Sequence, residues 1–280
     1  MALATHTFWL ASLATLFAAV AAAQMPPPAD ASKILSDDYA GTSYSPYAVH
    51  EIVGGEAPSK LLWGDTHLHT GMSFDAGAFG NRLGIADAYR FARGEEVVAS
   101  SGMPVRLSRP LDYLVVADHS DNMGMFPDLF AGKKNIVSDP VGKEYYDRIQ
   151  AGDGVAVAID LIKAFSQGEV PPALTYSPDS APYASAWKQT IDTAEEFNDP
   201  GNFTAFIGFE WTSLIKGANM HRVVIYRDGA AKASQMLAYT TTPPFGSPNP
   251  RDLWAWLDSY EKKTGGDVLA IAHNGNLSNG

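Results

Sequence analysis

The heptapeptide Gly-Asp-Thr-His-Leu-His-Thr places two histidines, His67 and His69, two positions apart after an apolar run. Side chains of a β-strand alternate between its two faces, so both imidazoles point to the same side if this run is a strand. Two such imidazoles can bind one divalent metal ion, or one each of a close pair. Two unrelated surface histidines would show the same spacing, so the motif needs support from elsewhere in the chain.

Further candidate ligands lie at the ends of other apolar runs that the sequence predicts to be strands. His119 is near the end of LDYLVVADHS, His221 begins HRVVIYRD and His273 ends DVLAIAH. Glu210 follows FIGF, where a carboxylate is costly unless a positive group pairs with it. A core histidine or a buried salt bridge would explain each residue alone. The recurrence at five strand ends favours a metal site.

His221 begins its predicted strand, whereas the other histidines follow or end theirs. A hairpin would bring His221 to the same edge as Glu210. The connection between the strands that carry Glu210 and His221 is too short for the crossover that parallel strands require. In an antiparallel hairpin the end of one strand lies beside the start of the next. Both side chains are therefore expected at the same edge.

The predicted strands alternate with helices, which is typical of βαβ units and a mainly parallel sheet or barrel. Asn249 and Pro250 form a helix start, and Gly265 ends that helix after Thr264. The carboxyl ends of parallel strands share one edge, where α/β proteins build their sites. Five strands are too few for a closed α/β barrel, so the chain is expected to be the N-terminal part of a longer protein. Strands are expected over 60–65, 111–120, 203–212, 221–228 and 267–273, and helices over 84–96, 155–168, 184–199 and 250–264.

Composition divides the chain into segments. Residues 1–23 are uncharged, apolar and rich in alanine, which predicts a signal peptide and a periplasmic or secreted protein; a membrane anchor or a buried helix is the alternative. Residues 24–57 are rich in Pro, Ala, Ser and Gly and predict an extended arm or linker. Residues 58–280 form the predicted main domain, in which the irregular stretch of about 122–182 is expected to be an inserted cap.

Charge and cysteine content narrow the classes of partner and ligand. The net charge of −11 argues against nucleic acid as a partner, although a small anionic substrate remains compatible if a metal supplies positive charge. No apolar stretch after residue 23 is long enough to span a bilayer, so no stable membrane association is expected after signal cleavage. The chain has no cysteine, so a transition metal has to be held by His, Asp and Glu.

Four segments resemble motifs of the PHP (polymerase and histidinol phosphatase) superfamily. HLHTGMSFD resembles the first motif, with Asp75 as its third ligand, and ADH at 117–119 resembles the second. GFEW with Glu210, followed by His221, resembles the third, and AHNGN with His273 resembles the next. The sequence around these motifs, such as WGDTHLHT, resembles the secreted branch called domain of unknown function 3604. This resemblance extends from about residue 58 to residue 280.

The resemblance implies a distorted (β/α)7 barrel of the PHP type, incomplete in this chain, and hydrolysis of phosphate esters with two or three divalent metal ions. The family pattern ends with an Asp-x-His motif, and none follows His273 here, which fits a truncated chain. The mixture of imidazoles and carboxylates suits Zn, Mn or Fe. The expected metal ligands are His67, His69, Asp75, His119, Glu210, His221 and His273.

The predicted function is a metal-dependent hydrolase that acts on a small anionic molecule, with a phosphate ester cleaved by a metal-activated hydroxide. Hydrolysis of a carboxylic ester or amide is the first alternative, and a fragment that binds metal without turnover is the second. The predicted catalytic residues are Glu210, which also bridges metals, Asp118 and His273. Asp65 and Asp118 are expected to orient ligands. The cations considered for phosphate contact, each also explained as a solvated surface charge, are Arg82, Lys216 and Arg222.

Overall fold

The computed structural model describes residues 61–279, which belong, apart from Leu61, to a unit that runs from Leu62 to Gly280. The predicted signal peptide and arm lie outside the described residues. Within 61–279, no helix is both long enough and apolar enough to cross a bilayer.

This unit consists of short strands and helices. The strands are β1 (Gly64–Leu68), β2 (Val97–Val98), β3 (Pro104–Val105), β4 (Tyr113–Val116), β5 (Thr204–Phe206), β6 (Gly208–Ile215), β7 (Ala218–Tyr226) and β8 (Val268–His273). The α-helices are α1 (Phe74–Ala78), α2 (Ile85–Ala92), α3 (Met125–Phe130), α4 (Lys134–Val137), α5 (Pro140–Gln150), α6 (Gly154–Gln167), α7 (Ala181–Phe197), α8 (Ala230–Ala233) and α9 (Pro250–Thr264). Short 3₁₀ turns cover Pro172–Leu174 and Gly275–Leu277.

Two three-stranded sheets form the frame of the unit. One is parallel, in the order β1-β4-β5, and the other is antiparallel, in the order β6-β7-β8; β2 and β3 form a separate ribbon. The mixed α/β class is therefore confirmed, and none of the sheets in the described part of the chain is closed into a barrel. The expectation of a mainly parallel sheet is wrong for β8, which pairs antiparallel to β7, whereas the antiparallel pair of β6 and β7 is the predicted hairpin. A tight turn at Lys216 and Gly217 reverses the chain after β6, and β8 begins beside the end of β7.

The strand β4 lies between the main core and the antiparallel sheet, and both of its faces are buried. Leu114 and Val116 face the main core of helices, whereas Val115 and Ala117 pack against Val223 and Ile225 of β7 and form a second small core. Alternation of side chains along a strand produces this division. A run that is apolar on both faces is the pattern that the sequence shows at 111–120.

Two predicted strands differ from the observed ones. The predicted strand 203–212 is divided at Ile207, where the chain leaves the parallel sheet and enters the antiparallel one. Gly208 permits this change, because a Cβ there would lie 2.5 Å from a methyl group of Val115. The first strand is Gly64–Leu68 instead of 60–65, and Trp63, directly before it, is hydrogen-bonded to the backbone amide and the side chain of Asp112. His67 therefore lies inside the strand, and His69 directly follows it.

The helix predictions hold closely. Helix α9 begins after Asn249, whose side chain accepts a hydrogen bond from the amide of Arg251, and it ends at Gly265 with φ 64°. The predicted cap consists of α3 to α6, a 3₁₀ turn and the first residues of α7. Helix α6 packs on α1 and β6, so it lies beside the elements that carry the histidine motifs. That this segment acts as a cap over the site stays a prediction.

Candidate metal centre

The seven predicted ligands come together at one edge of the two sheets. They form three groups in which one nitrogen or oxygen atom of each residue lies within 4.8 Å of the others. Two residues belong to two groups each, so the groups are parts of one continuous cluster. The groups are His67, Glu210 and His273; His69, Asp75 and His119; and His119, Glu210 and His221.

Glu210 lies at the centre of this cluster, with a side chain that is fully buried. The Nε2 atoms of His67 and His69 lie 2.8 Å apart, and each lies 2.8 Å from Oε2 of Glu210. The other oxygen, Oε1, lies 2.8 Å from Nδ1 of His221. Burial alone would raise the pKa of Glu210, but its close contacts with the surrounding histidines, first His221 and then His67 and His69, outweigh burial and hold that pKa far below its usual range.

The backbone places Glu210 next to His119 although they lie on different sheets. The amide of Glu210 donates to the carbonyl of Asp118 at 2.9 Å, and the amide of Ser120 donates to the carbonyl of Glu210 at 2.9 Å. These two bonds form a parallel bridge between the end of β4 and β6. The cluster therefore sits where the two sheets meet.

The predicted hairpin is confirmed by the register of β6 and β7. Thr212 lies opposite His221, two residues beyond Glu210, so Glu210 and His221 reach the same edge. His273, at the end of β8, lies opposite His221 in the next antiparallel pair. The ring centroids of His67 and His273 are 4.1 Å apart, which brings the last predicted ligand against the first.

The loop after β1 supplies the second part of the cluster. Nδ1 of His69 lies 2.9 Å from Oδ1 of Asp75, and Oδ2 of Asp75 lies 3.3 Å from Nε2 of His119. Burial alone would lower the pKa of His69, but its bonds to Asp75 and Glu210 prevail and raise that pKa to about 10. Burial alone would raise the pKa of Asp75, yet the contacts with His119 and His69 hold it well below its usual range.

Two hydroxyl residues that the sequence reasoning missed also belong to the site. Ser73 Oγ donates to Asp75 Oδ1 at 2.9 Å, lies 2.9 Å from His69 Nδ1 and accepts the amide of His119 at 3.1 Å. Thr212 Oγ1 is hydrogen-bonded to Nδ1 of His119. Each is two residues from a predicted carboxylate ligand. For Thr212, which shares a strand face with Glu210, the two-residue period could have revealed the contact.

The chemistry of the cluster fits divalent metal ions. Oε1 of Glu210 and both ring nitrogens of His221 are buried without a hydrogen-bond partner; the 2.8 Å ion-pair contact between Oε1 and Nδ1 lacks the alignment of a hydrogen bond. Unpaired buried polar atoms are rare and call for an explanation. Two ligands about 2.1 Å from one ion are separated by about 3.0–3.4 Å, which is close to the separations in this cluster.

Asp118 and Asp65 support the cluster from behind. Both oxygens of the buried Asp118 accept hydrogen bonds from Thr70, at 2.5 Å from its amide and 2.7 Å from its hydroxyl. Burial raises the pKa of Asp118. Asp65 accepts the amide of His67 at 2.8 Å. Both acids therefore fix the backbone that carries His67 and His69, and the structure shows no bond from either to a ligand side chain.

The three cations considered for phosphate contact are not brought to the cluster. Arg82 donates to the carbonyls of Gly77 and Asn81 and lies over the ring of Phe130. Lys216 occupies the β6–β7 turn, and Arg222 donates to the backbone carbonyl of His221. None of the three borders the cavity of about 200 Å³ that adjoins the cluster.

Replacing Asp118 with alanine should destabilise the protein and loosen the metal centre. The amide and hydroxyl of Thr70 would lose their buried acceptor, at a cost of about 1–3 kcal/mol for each unsatisfied group. The free energy of unfolding in urea and the content of bound metal are the measurements. Asp147→Ala, which removes an exposed carboxylate from α5, is the control. An Asp118→Ala protein as stable and as metal-loaded as the wild type would contradict the positioning role.

The fold and the cluster together define a mixed α/β protein with a partly buried set of imidazoles and carboxylates that could hold divalent metal ions. The sequence profile of the family described as "Protein of unknown function (DUF3604)" matches residues 56–280, and the chain belongs to this family. Comparisons with curated proteins and with solved structures found no match.

Proposed function

We propose that the protein is a metal-dependent hydrolase of the PHP superfamily that cleaves phosphate esters. The observation that supports this proposal is the convergence of seven imidazole and carboxylate side chains into one cluster around the buried Glu210. Two or three divalent ions of Zn, Mn or Fe fit this ligand set. Bound ions of this kind supply a water of lowered pKa and neutralise the oxygens of a phosphate group.

The residues of the chain hold and orient these ions in the proposed site. Glu210 belongs to two of the three groups and is the proposed bridging ligand, because its two oxygens face different histidines. Asp75 and His119 complete the group around His69. Ser73 and Thr212 hold the rings of His69 and His119 in place, as hydrogen bonds to ligating histidines do in metal sites.

The pKa of His273 is shifted in the opposite direction to the pKa of His69. Burial is the main cause that lowers the pKa of His273, and the neighbouring His67 adds to it. A neutral imidazole at this edge is ready to bind an ion or to accept a proton. We propose that His273 acts in one of these two roles beside Glu210. Asp118 is proposed to position the site instead of taking part in the reaction directly. Both of its oxygens accept hydrogen bonds from Thr70, so it acts through the loop that carries His69.

The wider assignment rests on the resemblance to the PHP superfamily. We propose that the two sheets are parts of an incompletely closed barrel of the PHP type. The protein is proposed to be periplasmic or secreted, with a small anionic molecule as its substrate. The acidic charge of −11 supports a metal, and not the protein surface, as the source of positive charge at the site.

A substrate panel tests the proposed reaction. The whole protein, loaded with Zn, Mn or Fe and assayed beside its chelated form, is offered an aryl phosphate, a phosphodiester, a carboxylic ester and an anilide. We expect turnover of a phosphate ester at least about 1,000-fold faster than by the chelated protein. Preferential turnover of the carboxylic ester or the anilide would support the other hydrolase class. Stoichiometric metal binding without turnover of any of these would contradict the enzyme assignment.

A further inference from the structure

A small cavity of about 200 Å³ adjoins the metal centre and has an apolar wall. It borders three of the candidate ligands, Asp75, His119 and His221. Four apolar side chains also line the cavity and are called its apolar wall here. Its members are Phe74 from α1, Ile162 and Phe165 from α6, and Leu214 from β6. The predicted cap therefore contributes half of the apolar wall.

The charges around this cavity limit what it can bind. None of its lining residues, all within the described part of the chain, is lysine or arginine. The lining includes the carboxylate of Asp121, but Thr241 and Thr242 already donate to both of its oxygens. A second anionic group on the ligand would find no cation here, and a cationic group would find no unpaired carboxylate outside the metal cluster. The lining therefore favours an uncharged group in the part of the ligand that lies away from the ions.

The volume limits the size of that uncharged part. A cavity of about 150 Å³ lined by Leu, Ile and Phe binds benzene, whereas sites for drug-sized molecules measure about 300–1,000 Å³. A cavity of about 200 Å³ fits one ring, or an alkyl group of similar size, next to a small anionic group. The rings of Phe74 and Phe165, with centroids 5.5 Å apart, offer a flat apolar group a stacking surface.

Phe165 and Leu214 line this cavity and also a larger one. An open cavity of about 1010 Å³ borders the same two side chains from its own side. Phe165 is half-buried and belongs to the predicted cap, whereas Leu214 belongs to the β6–β7 hairpin. The two cavities therefore share these two side chains in their linings, one from the helix α6 and one from the strand β6.

We propose that the substrate is a compact anion with one apolar group of about the size of a single ring, and that Phe165 sets this size limit. The anionic group lies at the metal centre, and the apolar group lies against Phe74, Ile162, Phe165 and Leu214. Larger substituents are excluded because they would collide with the Phe165–Leu214 wall. This proposal deepens the proposed function and rests on it for the position of the anionic group.

Binding of non-hydrolysable anions to the zinc-loaded whole protein tests the proposal. We expect phenylphosphonate to bind about tenfold more tightly than methylphosphonate, because the ring is taken out of water. 2-Naphthylphosphonate should bind at least about tenfold more weakly than phenylphosphonate. In Phe165→Ala, the naphthyl compound should bind at least as tightly as the phenyl compound, since the two cavities are joined. Titration calorimetry measures each dissociation constant.

The controls distinguish a change in the pocket from a loss of folding and from an effect specific to phosphonates. Ile159→Ala changes an exposed residue of the same helix and should keep the wild-type order of ligands. Phe165→Leu, a milder change, provides the same comparison if Phe165→Ala does not fold. Benzoate and acetate repeat the test with a carboxylate as the anionic group. Equal binding of ring and methyl compounds with both anionic groups, or an unchanged order in both Phe165 variants, would overturn the proposal.

Failure of this proposal is distinguishable from failure of the proposed function. A protein that hydrolyses phosphate esters but shows no preference for a ring would retain the proposed function and lose the size limit. A protein that shows the expected order of ligands but hydrolyses nothing would retain the pocket and lose the reaction. Metal content, measured in each preparation, shows that the variants are compared at equal loading.

Discussion

Glu210→Gln should lose at least half of its bound divalent metal and at least about 100-fold of its hydrolytic activity. Glutamine has the same shape but no charge, so a fully buried position would keep its packing and lose the group that faces four histidines. Outer partners of metal ligands are worth about 10–100-fold in affinity or activity, and a ligand shared by two groups should exceed that. Elemental analysis and an assay on the same preparation give both values.

A matched control for this substitution is Glu96→Gln. Glu96 is exposed and takes no part in the cluster, so its substitution should leave metal content and activity at the wild-type level. Circular dichroism of the two variants shows whether the fold is kept. A folded Glu210→Gln protein with full metal content and full activity would contradict the central position that the structure gives to this carboxylate.

Removal of metal should lower the melting temperature by about 8–16 °C. A ligand present at about 1,000 times its dissociation constant adds about 4 kcal/mol to the free energy of unfolding, and each kcal/mol shifts the melting temperature of a domain of this size by about 2–4 °C. The metal-free cluster leaves Oε1 of Glu210 and the ring of His221 buried without hydrogen-bond partners. Scanning fluorimetry before and after chelation, and again after dialysis against zinc, measures the change.

The pH dependence of zinc binding to the metal-free protein provides a second test of metal binding at this cluster. In the metal-free protein, contacts with Asp75 and Glu210 raise the pKa of His69 to about 10, so this ring holds a proton at neutral pH. The ring must lose that proton to bind an ion, and affinity should rise about tenfold per pH unit below 10 for each proton released. Affinity that does not change between pH 6 and 8, together with an unaltered melting temperature after chelation, would contradict metal binding at this cluster.

The positions of the histidines and of Glu210 could be predicted because they depend on local patterns, whereas Asp75 was identified only through the resemblance to the PHP superfamily. Apolar runs with histidines at their ends predicted the strands, and the short connection between Glu210 and His221 predicted a hairpin that the register confirms. The start and end of α9 could be predicted because capping by Asn249 and a left-handed Gly265 are local effects. These features need no knowledge of the tertiary fold.

Features that depend on tertiary packing could not be predicted. The direction of β8 is not encoded in its apolar pattern, since parallel and antiparallel strands both alternate, and the sequence reasoning wrongly favoured parallel pairing. The division of the predicted strand at Ile207 depends on the close approach of Val115, from another strand, to Gly208. Arg82 was considered for phosphate contact because of its charge, yet its long side chain is held by two carbonyls and Phe130.

The most direct test of the account is an anomalous difference map from a crystal of the zinc-loaded protein, recorded at the zinc absorption edge. The account predicts two or three strong peaks in the cluster, each about 2.0–2.2 Å from at least one ring nitrogen and one carboxylate oxygen. Glu210 should contact two of the peaks. A map with no peak within the seven side chains, from a crystal whose protein binds zinc elsewhere, would contradict the metal centre and with it the proposed hydrolase.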